Sequence, residues 1–108
     1  MVTEARAARV AALMQMLSED PDDTFALYGL AMEHKADDAL GSAEPLLRRL
    51  LELEPGHLYG HYQLGDLLIA DDRPDEAAGV LREGLDRARA AGDAKAANEL
   101  AALLDQAE

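Results

Sequence analysis

The segment TFALYGLAMEHKADDALGSAEPLLRRLLELEPGH, residues 24–57, aligns without a gap to the next 34 residues, 58–91. Leucines and small residues coincide in this alignment: Leu30 with Leu64, Ala31 with Gly65, Ala43 with Ala77, Leu47 with Leu81, and Leu51 with Leu85. The same shift extends backwards, because it brings Pro21 onto Pro55 and Leu13 onto Leu47. An ungapped period of this length is typical of a repeat protein.

Good helix formers dominate the chain and predict an all-α fold. Hydrophobic residues make up 49% of the sequence, and most of them are Ala and Leu rather than β-branched residues. Proline disfavours the helical conformation in the residue before it, so Pro21 and Pro55 each end a helix. The predicted helices lie near residues 3–19, 23–36, 40–53, 57–70, 74–90 and 94–107. Their short connections predict antiparallel neighbours.

The repeating residues resemble the tetratricopeptide repeat, a two-helix unit with leucines, small residues and aromatic residues at fixed positions. The matching positions are Leu27, Leu30, Ala31, His34, Ala43, Leu47 and Pro55 in the first repeat, and His61, Leu64, Gly65, Leu68, Ala77, Leu81 and Arg89 in the second. The aromatic positions depart most from the pattern. The resemblance implies antiparallel helix-turn-helix repeats stacked in a short right-handed α-solenoid of about six helices.

A chain of 108 residues suits a single domain. Within the repeat frame, residues 1–20 form the helix of a half repeat, 24–57 the first full repeat, 58–91 the second, and 92–108 a capping helix. The last helix places Asn98 and Glu99 where the second repeat has Leu64 and Gly65, which fits the polar outer face of a cap. The sequence is compatible both with the end of a longer array and with a small freestanding protein.

Charge restricts the class of partner. The chain has 22 Asp and Glu residues against 10 Lys and Arg residues, and a net charge of -12. This charge opposes binding to nucleic acid and to anionic membranes, so a protein partner that is neutral to basic at the contact is expected. Cysteine is absent from the sequence, which excludes disulfides and thiol chemistry. The sequence shows no membrane span and no secretory signal, so we expect a cytoplasmic protein.

The aromatic residues point to a partner-binding surface. Phe25, Tyr28 and Met32 form a stripe displaced by roughly 200° from the apolar face of the same predicted helix. Because the resemblance implies that the first helix of each repeat lines a concave surface, it implies a groove for a peptide or helix of a protein partner. The predicted groove residues are Phe25, Tyr28, Met32, Lys35, Tyr59, Tyr62, Asp66 and Ile69. The alternative is that these rings pack neighbouring helices together.

Some tetratricopeptide repeat proteins hold a partner's terminal carboxylate with Lys, Arg and Asn side chains in the groove. The comparable positions here carry Tyr28, Met32 and Gln63. The resemblance therefore implies binding through apolar contact, with polar groups setting the orientation.

Titratable side chains do not form a catalytic or cofactor site in the sequence. His57 and His61 are four residues apart, but a histidine pair supplies two metal ligands where three or four are needed. The carboxylate pairs 37–38, 71–72 and 75–76 lie at predicted helix boundaries, where carboxylates act as caps and dipole partners. We predict a non-enzymatic interaction module without metal or cofactor. A homodimer formed through the groove or through the exposed terminal helices is the alternative.

Overall fold

A computed structural model describes residues 3–108, and within this range the chain forms six α-helices and no strand. The helices are α1 Glu4–Glu19, α2 Thr24–Ala36, α3 Leu40–Leu53, α4 Leu58–Ala70, α5 Pro74–Ala90 and α6 Ala94–Ala107. The predicted all-α class is confirmed. Met1 and Val2, the first residues of the predicted half repeat, lie outside the described residues.

Side-chain caps define the starts of four helices. Asp23 accepts a hydrogen bond from the backbone N–H of Ala26, and Asp93 accepts one from that of Ala96. Thr3 caps α1 in the same way, and the Nδ1 atom of His57 caps α4. Each cap satisfies an amide that has no partner inside its own helix. The predicted starts at residues 3, 23 and 57 therefore fall on capping residues, one position before the helices begin.

Three helices end in the same hydrogen-bonded turn. Asp38, Asp72 and Gly92 follow α2, α4 and α5 with φ angles of 58°, 58° and 71°. The amide after each of them reaches back five residues, as in the bond from Ala39 N–H to the His34 carbonyl. This is the Schellman motif. The pairs 37–38 and 71–72 thus lie at helix C-termini, where acidic charge does not complement the helix dipole; only the pair 75–76 lies in a first turn.

Close contacts divide the chain into two compact units, one ending at Leu53 and one running from Glu54 to Glu108. In the first unit α2 packs against α1 and α3, and in the second unit α4, α5 and α6 pack against one another. The first unit has a cluster of buried apolar residues, namely Leu13, Ala26 and Leu30. Fully buried leucines of the second unit are Leu64, Leu67, Leu68, Leu81 and Leu100. Most of the repeated leucines, among them Leu30, Leu47, Leu64 and Leu81, are therefore core residues, whereas Leu51 is half-buried.

Two glycines let the helices of the second unit approach closely. A Cβ atom on Gly65 of α4 would lie 2.4 Å from Cδ2 of Leu81 on α5. A Cβ atom on Gly84 of α5 would lie 2.6 Å from Cβ of His61 on α4 and 3.3 Å from a methyl carbon of Leu100 on α6. Gly65, the small residue at this position of the repeat, and Gly84 therefore both lie where two helices are in close contact.

Ion pairs fix α1 against α2 in the first unit. The Glu33 carboxylate accepts hydrogen bonds from Nε of Arg9 at 2.5 Å and from Nε of Arg6 at 2.7 Å. Arg6 also donates to the Asp37 carboxylate at 2.5 Å and to the backbone carbonyl of Glu33. The hydrogen bonds from Arg9 and then Arg6 hold the pKa of the Glu33 carboxyl below its ordinary value. These contacts link residues 24 to 31 positions apart in the chain.

Candidate functional site

The aromatic stripe of α2 consists of Phe25, Tyr28, Met32 and Lys35, and all four residues are accessible to solvent. Phe25 is 72% exposed, and the other three are half-buried. The opposite side of α2 carries buried apolar residues, among them Leu27 and Leu30, which are 3% and 7% exposed. The stripe therefore lies off the core of the first unit.

The aromatic stripe of α4 consists of Tyr59, Tyr62, Asp66 and Ile69. Tyr59 is 37% exposed, and the remaining three residues are half-buried. The rings of Tyr59 and Tyr62 have centroids 6.5 Å apart and an interplanar angle of 59°, within the range of favourable aromatic pairs. These two rings thus contact each other along one helix while part of each stays accessible to solvent.

The eight residues predicted for the groove thus fall into two groups, one in each compact unit. Each group combines aromatic side chains with one charged group, Lys35 on α2 and Asp66 on α4. A partly exposed tyrosine offers apolar area and a hydroxyl that donates or accepts a hydrogen bond. This combination is suited to contact with a polypeptide.

Two of the three histidines have structural contacts that explain their positions. His61 is 2% exposed, with Nε2 2.8 Å from the Pro55 carbonyl oxygen and Nδ1 3.2 Å from that of Val80. His57 accepts a hydrogen bond from the Gly60 N–H at 2.8 Å. Among residues 3–108, no group of three or more His, Cys, Asp or Glu side chains is arranged to hold a metal ion.

A pocket at the start of α4 was not found by sequence reasoning. It has a volume of about 420 Å³ and is lined by Glu54, Gly56, His57, Leu58, Tyr59 and Asp93. We refer to it as the Tyr59 pocket. No local sequence signal points to it, because its lining combines the turn before α4 with Asp93, which caps α6.

Each helix within residues 3–108 is too short or too polar to cross a membrane. No family model matches the chain, and no curated protein sequence matches it.

Solved structures resemble the chain clearly. The solution structure of a tetratricopeptide repeat domain protein from Salinibacter ruber is 36% identical, with a TM-score of 0.76, over 82% of this chain and 90% of that one. A crystal structure of such a domain protein from the same organism is 34% identical, with a TM-score of 0.73, over 79% of this chain and 96% of that one. The chain belongs to the tetratricopeptide repeat family. As a tetratricopeptide repeat protein, it is an all-α helical repeat of the kind that serves as a protein-interaction module.

A further tetratricopeptide-like match occurs inside an enzyme. An O-GlcNAc transferase mutant from Thermobaculum terrenum is 28% identical over 81% of this chain, with a TM-score of 0.65, but only 20% of the transferase chain is covered. The match therefore attributes no transferase activity to this tetratricopeptide repeat protein. The crystal structure of MamA is 16% identical, with a TM-score of 0.69, and shares the fold alone.

Proposed function

We propose that this tetratricopeptide repeat protein is a non-enzymatic module that binds a peptide or helix of a partner protein on the aromatic stripes of α2 and α4. The observation that carries the proposal is the 72% exposure of Phe25, a side chain that folding leaves in water. Phe25 lies beside the half-buried Tyr28, so the apolar surface is continuous over one turn of α2.

Apolar contact is the main source of affinity in this proposal. Fully burying a phenylalanine side chain contributes about 1.5–3 kcal/mol relative to leaving it exposed. An exposed ion pair contributes only about 0–1 kcal/mol. Covering Phe25 therefore contributes more than a single surface ion pair, and Lys35 and Asp66 serve to orient the partner.

The partner's contact surface is neutral to basic in this proposal. A net charge of -12 repels acidic partners and accelerates the encounter with basic ones. Since the protein is expected in the cytoplasm on sequence grounds alone, a cytosolic extract is the appropriate source of partners.

Self-assembly into a homodimer is the alternative. Its supporting observation is Met14 of α1, which is 58% exposed between the half-buried Val10 and Leu17 on the same helix. A dimer that covers these side chains would bury apolar surface without a second protein. This alternative predicts an oligomeric state that depends on protein concentration.

Two measurements separate these functions. Affinity capture with the wild-type chain and with the Tyr28→Ala/Tyr62→Ala double variant should yield a protein that only the wild type retains. Sedimentation velocity of both proteins over a wide concentration range should give a monomer in each case. A concentration-dependent dimer that the double variant abolishes would instead assign the aromatic stripes to self-assembly.

A further inference from the structure

Helix α1 is attached to the first unit by fewer buried side chains than α2 or α3. Leu13 is the only buried residue of α1, whereas Ala43, Leu47 and Leu50 of α3 are fully buried. Most other side chains of α1 are exposed, among them Met14 at 58%. Because burial of apolar area is the main source of stability in a packed helix, α1 is the helix of this unit that requires the least free energy to detach.

Leu13 packs against a glycine on α2. A Cβ atom on Gly29 would lie 3.0 and 3.3 Å from the two methyl carbons of Leu13, so a larger residue at this position would crowd the leucine. Ala26 and Leu30 of α2 belong to the same buried cluster as Leu13. We refer to Ala26, Gly29, Leu30 and Glu33 as the α1-docking surface. Its apolar part is shaped for a leucine side chain.

The polar part of the α1-docking surface is acidic. Both arginines of α1 donate to the Glu33 carboxylate, Arg6 at 2.7 Å and Arg9 at 2.5 Å, and Arg6 also donates to Asp37. The side chains of Arg9 and Asp37 are 55% and 46% exposed, so this ion-pair cluster is partly in water, where each pair contributes little to stability. Helix α1 therefore shows which chemistry the surface accepts, namely a leucine and two basic residues.

The α1-docking surface lies apart from the aromatic stripe of α2. At about 3.6 residues per turn, its residues are centred roughly 130° around the helix from those of the stripe. Helix α2 also packs against α3, and its Leu27 and Ala31 are 3% and 0% exposed. Detachment of α1 therefore uncovers the docking surface and leaves both the stripe and the contact with α3 in place.

We infer that α1 is a strap that opens while α2 and α3 stay folded, and that the α1-docking surface then binds a partner helix with a leucine and two basic residues spaced as Leu13, Arg6 and Arg9 are. A helix that lays its apolar side on another protein is a common mode of recognition. The net charge of -12 favours a basic helix over an acidic one. The inference goes beyond the proposed function, because it adds a second surface that is separate from the aromatic stripes.

Native-state hydrogen exchange of the full-length protein tests whether α1 opens by itself. The amides of Leu13 and Met14 lie in the middle of α1, away from its ends. After correction for intrinsic rates, they should exchange at least about tenfold faster than the amides of Leu47 and Leu50 in α3.

The Arg6→Gln/Arg9→Gln variant weakens the strap and leaves the residues of the docking surface unchanged. Loss of both arginines should accelerate exchange in α1 about two- to tenfold and leave exchange in α3 unchanged. Arg82→Gln is the matched control, because it breaks an exposed ion pair with Glu108 in the second unit. This control should leave exchange in α1 and α3 unchanged.

A peptide with the sequence of residues 3–20 tests the docking surface. It competes with α1 of the full-length protein, so its apparent affinity is proportional to the fraction of open molecules. Its dissociation constant should therefore be lower for the Arg6→Gln/Arg9→Gln variant than for the wild type, by the same factor of about two to ten by which exchange accelerates. Binding should shift the amide signals of Ala26 and Gly29 in the ¹⁵N-labelled protein. A peptide with the Leu13→Ala change should bind at least about tenfold more weakly.

Three outcomes would overturn the inference. Equal exchange in α1 and α3, or equal acceleration of both in the arginine variant, would show that the first unit opens as a whole. Equal binding of the unchanged and Leu13→Ala peptides would show that the docking surface does not select a leucine. A concentration-dependent dimer of the arginine variant would make a second copy of α1, rather than a partner helix, the occupant. None of these measurements involves Tyr28 or Tyr62, so their results are independent of whether a partner binds the aromatic stripes.

Discussion

Gly65 and Gly79 lie in helices of the second unit, but their surroundings are opposite. A Cβ atom on Gly65 would lie 2.4–2.5 Å from Cδ2 and Cγ of the fully buried Leu81, so the leucine or the helix would have to shift. A Cβ atom on Gly79 would meet nothing within 4 Å. The first glycine is required by packing, whereas the second only lowers helix propensity.

Replacing these glycines with alanine should therefore change stability in opposite directions. Gly65→Ala is expected to destabilise the fold by about 1–3 kcal/mol, the usual cost of overpacking a core. Gly79→Ala is expected to stabilise it by up to about 1 kcal/mol. Urea denaturation followed by circular dichroism measures both values. A neutral result for Gly65→Ala would show that α4 and α5 are not in the close contact described.

Asp72 and Gly92 occupy the same position in two turns of the same type, and this allows a second paired test. Asp72 has a φ of 58°, in the left-handed region that L-residues avoid, whereas Gly92 adopts a φ of 71° without a side chain to oppose it. Asp72→Gly is expected to stabilise the protein by about 0.5–1 kcal/mol, and Gly92→Ala to destabilise it by about 1 kcal/mol. Melting temperatures that move in the same direction for both variants would argue against these turns.

At the scale of the helices, the ion pairs of Glu33 make the docking of α1 on α2 dependent on pH. The pKa of Glu33 in the folded protein lies below its ordinary value of about 4.5, because Arg9 and Arg6 donate to the carboxylate. The charged form therefore stabilises the fold above about pH 4.5, and this stabilisation is lost as the pH falls through the lower, folded pKa.

Glu33→Gln should consequently lower the melting temperature at pH 7, and the difference from wild type should shrink progressively below about pH 4.5. Thermal melts between pH 7 and pH 3 give this difference directly. Glu83→Gln, which removes an exposed carboxylate with a long 3.4 Å ion pair to Arg87, is the control and should change the melting temperature less at pH 7. A Glu33→Gln difference that is constant over the whole range would contradict the stabilising role of the carboxylate.

The helices were predictable from sequence because their signals are local. Pro74 begins α5, Asp93 caps α6, and the 34-residue alignment fixes the leucine positions. Contacts between helices were harder to predict from the sequence. The Glu33 ion pairs and the contact of Gly84 with His61 join residues more than 20 positions apart, and their partners depend on how two helix faces meet.

The candidate site was predictable in part, because the positions of the aromatic residues on each helix are also a local signal. Periodicity separates the aromatic stripes from the core face, and the solvent exposure of Phe25 and Tyr59 agrees with that separation. Periodicity does not show which turns adjoin one another. The Tyr59 pocket depends on the turns before α4 and α6, so it emerged only from the folded second unit.

At the scale of the whole molecule, the net charge and the exposed aromatic rings make different contributions to the proposed binding of a partner. The charge of -12 acts over distance and is screened by salt, so it influences the rate of association with a basic partner. In the proposed complex, the rings act at contact and determine how long the complex lasts. A variant lacking the rings should therefore lose affinity mainly through faster dissociation.

The central claim is tested most directly by the affinity of the captured partner for three purified proteins: the wild type, the Tyr28→Ala/Tyr62→Ala variant and the Glu83→Gln control. Circular dichroism first establishes that all three are folded. Loss of aromatic contacts at a binding surface should raise the dissociation constant of the double variant at least about tenfold, and the control should match the wild type. An unchanged constant for the folded double variant would contradict the assignment of the aromatic stripes as the partner-binding surface.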